Sequence, residues 1–177
     1  KRFKKIISSV LALSMVFSLG AVSVSAADYT TYGVATEYKD VPTDANYYEA
    51  VKMLSKLDIF QGDNLGNFNP DKTITRAEAT AVVVRLLGYE NIISQTETTY
   101  VDVPAAHWAS GYIATGTSIG FITGYGYGYF GPEDPVKYEQ MITMLVRALG
   151  YEKKVEYEGG VYPAAYLSTA SQYNISS

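Results

Sequence analysis

The chain is expected to be mainly α, built from tandem helix–loop–helix repeats, and three observations carry that expectation. Sliding the sequence by 62 positions returns it to register without a gap: Tyr38-Lys39-Asp40-Val41-Pro42 falls on Tyr100-Val101-Asp102-Val103-Pro104, Gly62 on Gly124, Gly66 on Gly128 and Phe68 on Phe130. Val84-Arg85 falls likewise on Val146-Arg147, and Leu87-Gly88-Tyr89-Glu90 on Leu149-Gly150-Tyr151-Glu152. Apolar residues within each copy recur at helical spacing. Fixed-period similarity of this kind marks a supersecondary unit that buries its apolar face against its neighbours.

The first residues, Lys1, Arg2, Lys4 and Lys5, precede an apolar run from Val10 to Leu19 and a small-residue stretch ending at Ala26-Ala27. That order is a secretory signal peptide, residues 1–27, with cleavage expected after Ala26 or Ala27. A membrane anchor needs about 20 continuous apolar residues, and Ser14, Ser18 and Gly20 interrupt this run. Removing the peptide takes four of the 14 basic residues and none of the 18 acidic ones, leaving 10 against 18, a net charge of −8. Such a surface disfavours nucleic acid as a partner. Cysteine is absent, so no disulfide framework or thiolate site is available, and an exported chain of that kind suits a bacterial envelope. No other stretch reads as a membrane span. The chain begins without methionine and is expected to be a fragment of a longer protein.

Residues 28–37 read as a flexible lead-in. In the first repeat, residues 38–90, Tyr47, Ala50, Val51, Leu54 and Leu57 give an amphipathic helix from about Asn46 to Leu57. Asp58 follows it, Gly120 holds the matching place 62 residues on, and Asn174 holds it after a further 54. Asp, Gly and Asn tolerate the left-handed conformation that closes a helix. A Gly- and Asn-rich loop, 61–71, leads to Ile74-Thr75-Arg76-Ala77-Glu78. Thr75 and Glu78 form a capping box, so a second helix is expected from Arg76 to about Leu87, stopped by Gly88.

After a polar linker, residues 91–99, the second repeat spans 100–152. Its first helix is expected from Trp108 to Ile119, weakened by Gly111 and Gly116, each costing about 1 kcal/mol against alanine. Residues 153–177 hold a partial third repeat, with one helix from Ala164 to Tyr173.

Arg76 is the residue the cap does not explain. A cation in the first turn opposes the helix dipole by roughly 0.3–1 kcal/mol. Free N–H groups at a helix start beside a guanidinium make a carboxylate or phosphate site; the alternative is a solvated, idle arginine.

Taken together, Asp-Val-Pro at 40–42 and 102–104, His107-Trp108, the Gly-rich loops ending in Phe-x-Pro at 68–70 and 130–132, Ile74 to Glu78 and the Leu-Gly-Tyr helix ends resemble the S-layer homology domain, over residues 38–177. The resemblance implies three repeats in a pseudo-threefold helical bundle, the third incomplete here. It implies grooves that bind an acidic secondary cell-wall polysaccharide linked to peptidoglycan, a polymer that often carries pyruvate ketals, and hence a secreted protein held in the cell wall or S-layer. A ketal carboxylate is the anion Arg76 lacks.

The matching groove residues of the first repeat are Asp40, Gly62, Gly66, Thr75, Arg76 and Glu78, with Thr75 and Glu78 more structural than ligating. Asp40 reads equally as an acceptor for sugar hydroxyls and as a cap on the opening turn, and the loop glycines as close-approach points or turn requirements. In the second repeat the candidates are Asp102, Trp108, Gly124 and Lys137. Lys137 replaces the capping threonine and offers no oxygen, a point cation without the bidentate fork, so the second groove is either altered in specificity or a structural spacer, with the spacer favoured. Trp108 reads first as core and second as a sugar platform; Tyr125, Tyr127 and Tyr129 read equally as sugar-stacking rings and as a packed loop.

An enzyme is disfavoured, with one histidine and no nucleophile–base pair in view, and no cofactor or metal is expected. Asp63 to Asn67 resembles a calcium loop, but Leu65 takes a ligand position and Gly66 comes two places early. The remaining alternatives are a self-associating structural module, or the anchor region of a surface enzyme whose catalytic domain lies beyond residue 177. Several weak grooves acting together would give the affinity.

Overall fold

The computed structural model describes residues 37–93 and 98–176. The expected signal peptide, nearly all of the lead-in and residues 94–97 of the linker lie outside them. Six α-helices occur among the described residues, with no strands beyond two isolated bridges. They are α1 (Tyr48–Lys56), α2 (Arg76–Leu86), α3 (Ser110–Ile119), α4 (Tyr138–Ala148), α5 (Glu152–Tyr157) and α6 (Ala164–Gln172), with a 3-10 turn at Glu90–Ile92. None is long and apolar enough to cross a membrane. The chain is mainly α, as expected. The turn at Glu90 and helix α5 were not legible, because six residues or fewer are too short to display a period.

The residues form two compact units, 37–72 with 174–176, and 73–173. In the first unit, α1 buries Ala50, Val51, Leu54 and Ser55. The Ser55 hydroxyl donates to Tyr38 Oη (3.0 Å), which donates to the Phe60 carbonyl (3.3 Å), and the Phe68 ring lies 5.4 Å from that of Tyr38 and 5.2 Å from that of Phe60. The Asp40 carboxylate accepts from the Phe68 and Asn69 N–H groups at 2.7 and 2.6 Å. The opening turn is thereby clasped to the end of the loop. Asp63 accepts from the Leu65 and Asn67 N–H groups and from the Asn67 and Asn69 side-chain amides, which hold its carboxyl down at about 2.

The second unit repeats this frame and adds helix pairs. Thr117 donates to Tyr100 Oη, the Tyr100 and Phe130 rings stand 5.4 Å apart, and Asp102 accepts from Phe130 and Gly131 at 2.9 and 2.7 Å. Burial opposes the charge on Asp102, but those two N–H groups and the field of Arg76 prevail, so its carboxyl lies below the ordinary range. Helix α2 packs on α3 and α4, and α6 packs on α4 and α5. The predicted helix stops hold their backbone: Asp58, Gly120 and Asn174 have φ of 58, 91 and 54°. Gly116 is required by close packing, since a Cβ there would lie 2.8 Å from Phe121 Cζ.

Trp108 corrects an expectation. Helix α3 begins at Ser110, and Trp108 precedes it with 55% of its surface exposed, its ring 5.9 Å from His107 and 6.2 Å from Tyr112. Ala109 takes the buried place instead. The repeat explains why: Ala109 aligns with buried Tyr47, and Trp108 with exposed Asn46.

Candidate functional site

The site grows from the start of α2. Thr75 Oγ1 accepts from the Glu78 N–H (3.2 Å) and Glu78 Oε2 from the Thr75 N–H (2.8 Å), the predicted capping box. The remaining first-turn donors are also engaged: the Arg76 N–H reaches the Asp134 carbonyl and the Ala77 N–H the Pro132 carbonyl, both at 2.9 Å. The expectation of free helix-start N–H groups waiting for an anion is therefore corrected. The segment before α4 pairs with the segment before α2, through the Thr75–Pro135 bridge and the Val136 N–H to the Ile74 carbonyl, and consumes them.

The guanidinium of Arg76 finds a different setting. The residue is only 5% exposed. Its Nε donates to the Phe130 carbonyl at 2.9 Å and Nη2 to the Thr123 carbonyl at 3.0 Å. The rings of Tyr125 and Phe130 lie against it, their centroids 4.4 and 4.6 Å from Cζ, two cation–π contacts. Five N–H donors radiate from a guanidinium, and carbonyls of the described residues take two. No described carboxylate lies within ion-pair distance of it, Asp102 acting on it only through its field, and burying a charge without a directly paired counter-charge is costly. What is left is an edge, shaped for two parallel bonds to one carboxylate.

Arg76 is part of the wall of a cavity of about 170 Å³. The loop Phe121 to Tyr125 forms one side, Gln140, Thr143, Met144 and Arg147 of α4 a second, and Tyr162 the rim. Tyr125 and Tyr162 are about half exposed, at 53% and 51%. Burial and the nearby Glu139 carboxylate push the Tyr162 hydroxyl up, against the pull of Arg147 and Arg76. The cavity thus offers a cationic edge, amide and hydroxyl groups, and two accessible aromatic rings.

Of the sequence candidates, Arg76 and Gly124 line this cavity. Gly124 is needed there, because a Cβ would lie 2.6 Å from Tyr100 Cε1. Thr75 and Glu78 fix the helix that carries Arg76, and Asp102 clasps the far end of the same loop through Phe130 and Gly131. Lys137 stands outside the wall, exposed, making no cap bond, while Gln140 Oε1 accepts from its N–H at 2.9 Å. Trp108 is not in the wall either. Asp40, Gly62 and Gly66 serve their own loop in the first unit: Asp40 clasps it, a Cβ on Gly62 would collide with the Tyr38 ring, and Gly66 accepts from the Lys39 N–H. Tyr127, by contrast, stands fully exposed at the loop tip with φ of 52°.

Sequence reasoning missed Arg147. The signal was present: an arginine and a glutamate five residues apart recur as Arg85/Glu90 and Arg147/Glu152, and a tyrosine recurs 54 residues on as Tyr112 and Tyr166. These close two clamps. Arg85 Nε donates to Glu90 Oε1 (3.0 Å), Nη2 to Tyr112 Oη (2.8 Å), and Tyr112 donates to Glu90 Oε1 (2.6 Å). Arg147 Nε donates to Glu152 Oε2 (3.0 Å), Nη2 to Tyr166 Oη (3.1 Å), and Tyr166 donates to Glu152 Oε1 (2.7 Å). Burial works against both carboxylates, yet the tyrosine and arginine donors hold each below its usual range. Burial likewise raises both phenols, helped by the adjoining carboxylate.

Comparison with known proteins agrees with this repeated architecture. The S-layer homology domain pattern matches residues 37–80 and 99–142. A surface layer protein of Brevibacillus choshinensis is 35% identical over 177 residues, 99% of this chain and 15% of that protein. The middle cell wall protein of Brevibacillus brevis is 35% identical over 174 residues, 97% of this chain and 16% of that protein. An endoglucanase of a Bacillus species is 28% identical over 151 residues, 85% of this chain and 16% of that protein. The chain thus spans about one sixth of the length of these curated relatives. With two matched repeats, and likeness to S-layer and cell-surface proteins over nearly its whole length, the chain belongs to the S-layer homology domain family.

Proposed function

We propose that this region holds a secreted protein on the bacterial cell wall by non-covalent binding of an acidic secondary polysaccharide, with a sugar-borne carboxylate seated on the edge of Arg76. The observation that carries the reading is a buried guanidinium with no carboxylate within ion-pair distance among the described residues, in the wall of a cavity rimmed by two half-exposed tyrosines. Charge-assisted bidentate bonds favour a carboxylate there, and aromatic faces suit the apolar face of a sugar ring. A pyruvate ketal meets both requirements. The names of the relatives, a surface layer protein and a middle cell wall protein, support a wall location. The likeness to a protein named endoglucanase supports an anchor indifferent to its cargo.

The test is co-sedimentation of the chain with purified cell-wall sacculi before and after the secondary polymer is stripped. Binding should vanish on stripping. Arg76→Ala should weaken it at least tenfold, the scale of one lost charge-assisted pair at roughly 1.5–3 kcal/mol. Arg76→Lys should recover only part, since a point cation lacks the fork. Equal sedimentation with stripped walls would sink the reading in favour of self-association.

A further inference from the structure

Two arginines line the cavity, and their guanidinium groups are electrically unlike. Arg76 has carbonyl and aromatic partners and no ion-pair partner among the described residues. Arg147 is neutralised at 3.0 Å by Glu152, which is itself fixed by Tyr166. We infer, resting on the anchoring reading above, that Glu152 is a specificity-determining residue: by cancelling Arg147 it leaves the cavity one guanidinium without an ion-pair partner, matched to a sugar bearing a single carboxylate and poorly matched to a dianionic phosphate.

The other carboxylates in the neighbourhood do not supply this control. Asp102 stands outside the wall with both oxygens engaged by the Phe130 and Gly131 N–H groups. Glu139 also lies outside the wall and acts on Tyr162 at the rim. Glu152 alone pairs directly with a cavity-lining cation among the described residues. Its depressed carboxyl keeps it ionised throughout the neutral range. A phosphate monoester carries a second charge above about pH 6 and would meet that carboxylate across Arg147. Glu152 does not itself line the cavity, so it acts through Arg147 as a positioning and charge-setting group.

The first clamp provides the control. Glu90 holds Arg85 and Tyr112 in the same pattern, but neither Arg85 nor Glu90 lines the cavity. The experiment compares the full chain as wild type, Glu152→Gln, Glu90→Gln and Arg76→Ala. Glucuronic acid is the monocarboxylate pyranose probe and glucose 6-phosphate the dianionic one, and affinities are read by calorimetry at pH 7.5 with thermal melts alongside. Wild type should prefer glucuronate. Glu152→Gln should move the affinity ratio about tenfold toward the phosphate, the order expected for one unit charge at an effective dielectric near or above 20. Glu90→Gln should lower the melting temperature by a comparable amount and leave the ratio in place.

An unchanged ratio in Glu152→Gln, with glucuronate binding intact, overturns the inference and spares the anchoring reading. Glucuronate binding that survives Arg76→Ala, or is absent from wild type, overturns the anchoring reading and the inference with it. Should Glu152→Gln fold poorly, Arg147→Gln tests the same point from the other side. It leaves the Glu152 charge uncompensated, so both affinities should fall, that for the phosphate by more. Equal losses for the two probes would overturn the inference.

Discussion

The two arginine clamps are the same contact used twice, and only one of them borders a cavity. Arg85 and Arg147 both sit in the last turn of a repeat's second helix, bond a glutamate five residues on, and reach a tyrosine on the first helix of the following copy. Arg85 spends its guanidinium inside the seam, with a side chain only 12% exposed. Arg147 is 25% exposed and also faces the cavity. The difference comes from neither clamp. It comes from what else arrives: Arg76 from the start of α2, the loop from Phe121 to Tyr125, and Tyr162. Repeated geometry holds the helices, and the loops between them decide where chemistry can occur.

Removing the arginines should break that comparison most sharply. Arg85→Ala strips the partner from a half-buried carboxylate and phenol and should cost about 2–3 kcal/mol in urea denaturation. Arg147→Ala, at a more open seam, should cost about 1–2 kcal/mol. Wall binding should follow the reverse order, with Arg147→Ala reducing sedimentation and Arg85→Ala leaving it intact once the sample is shown folded. Equal binding losses from the two variants would mean that the cavity responds to general loosening of the unit and not to Arg147 itself.

Much of this was legible in the sequence, for identifiable reasons. The helix stops at Asp58, Gly120 and Asn174 could be named because few residue types accept a positive φ, and the capping box because its spacing is local. The setting of Arg76 was not legible, since its partners Thr123 and Phe130 lie 47 and 54 residues away. The position was found by its mismatch with the helix dipole, and the mechanism attached to it was wrong in part: backbone carbonyls take the helix-start donors, while Arg76 lines the cavity. Trp108 was misplaced by residue type, although alignment of the repeats with Asn46 and Tyr47 held the correct register. Arg147 was seen as a repeat marker but not as a site residue, because its tyrosine recurs at 54 residues while its glutamate recurs at 62.

Acid and base sharpen the comparison with a smaller effect. Glu90 and Glu152 both have depressed carboxyls in the folded chain. Their stabilisation is therefore present above the unfolded value near pH 4.3 and lost as pH falls through the lower folded values. Tyr112 and Tyr166 are raised, so their contribution is present below about pH 10 and lost as pH rises through the folded values. Melting temperature should be level between about pH 5 and 9 and decline on both sides. Glu90→Gln and Glu152→Gln should each remove part of the acid limb. If either leaves that limb unchanged, its clamp is not coupled to the carboxylate as the distances imply.

The smallest effect compares the two helix starts. At α2 both halves of the capping box are made, by the Thr75 hydroxyl and the Glu78 carboxylate. At α4 only the Gln140 half is available, because a lysine side chain has no acceptor to offer the third N–H. Thr75→Ala should therefore cost about 1 kcal/mol, and Lys137→Thr should gain roughly 0.5–1 kcal/mol by supplying the missing oxygen. Lys137 stands outside the cavity wall, so the stabilised variant should bind walls as well as wild type does. A gain in stability accompanied by a loss of binding would instead give Lys137 a part in holding the polymer, and would return the second repeat to consideration as a site in its own right.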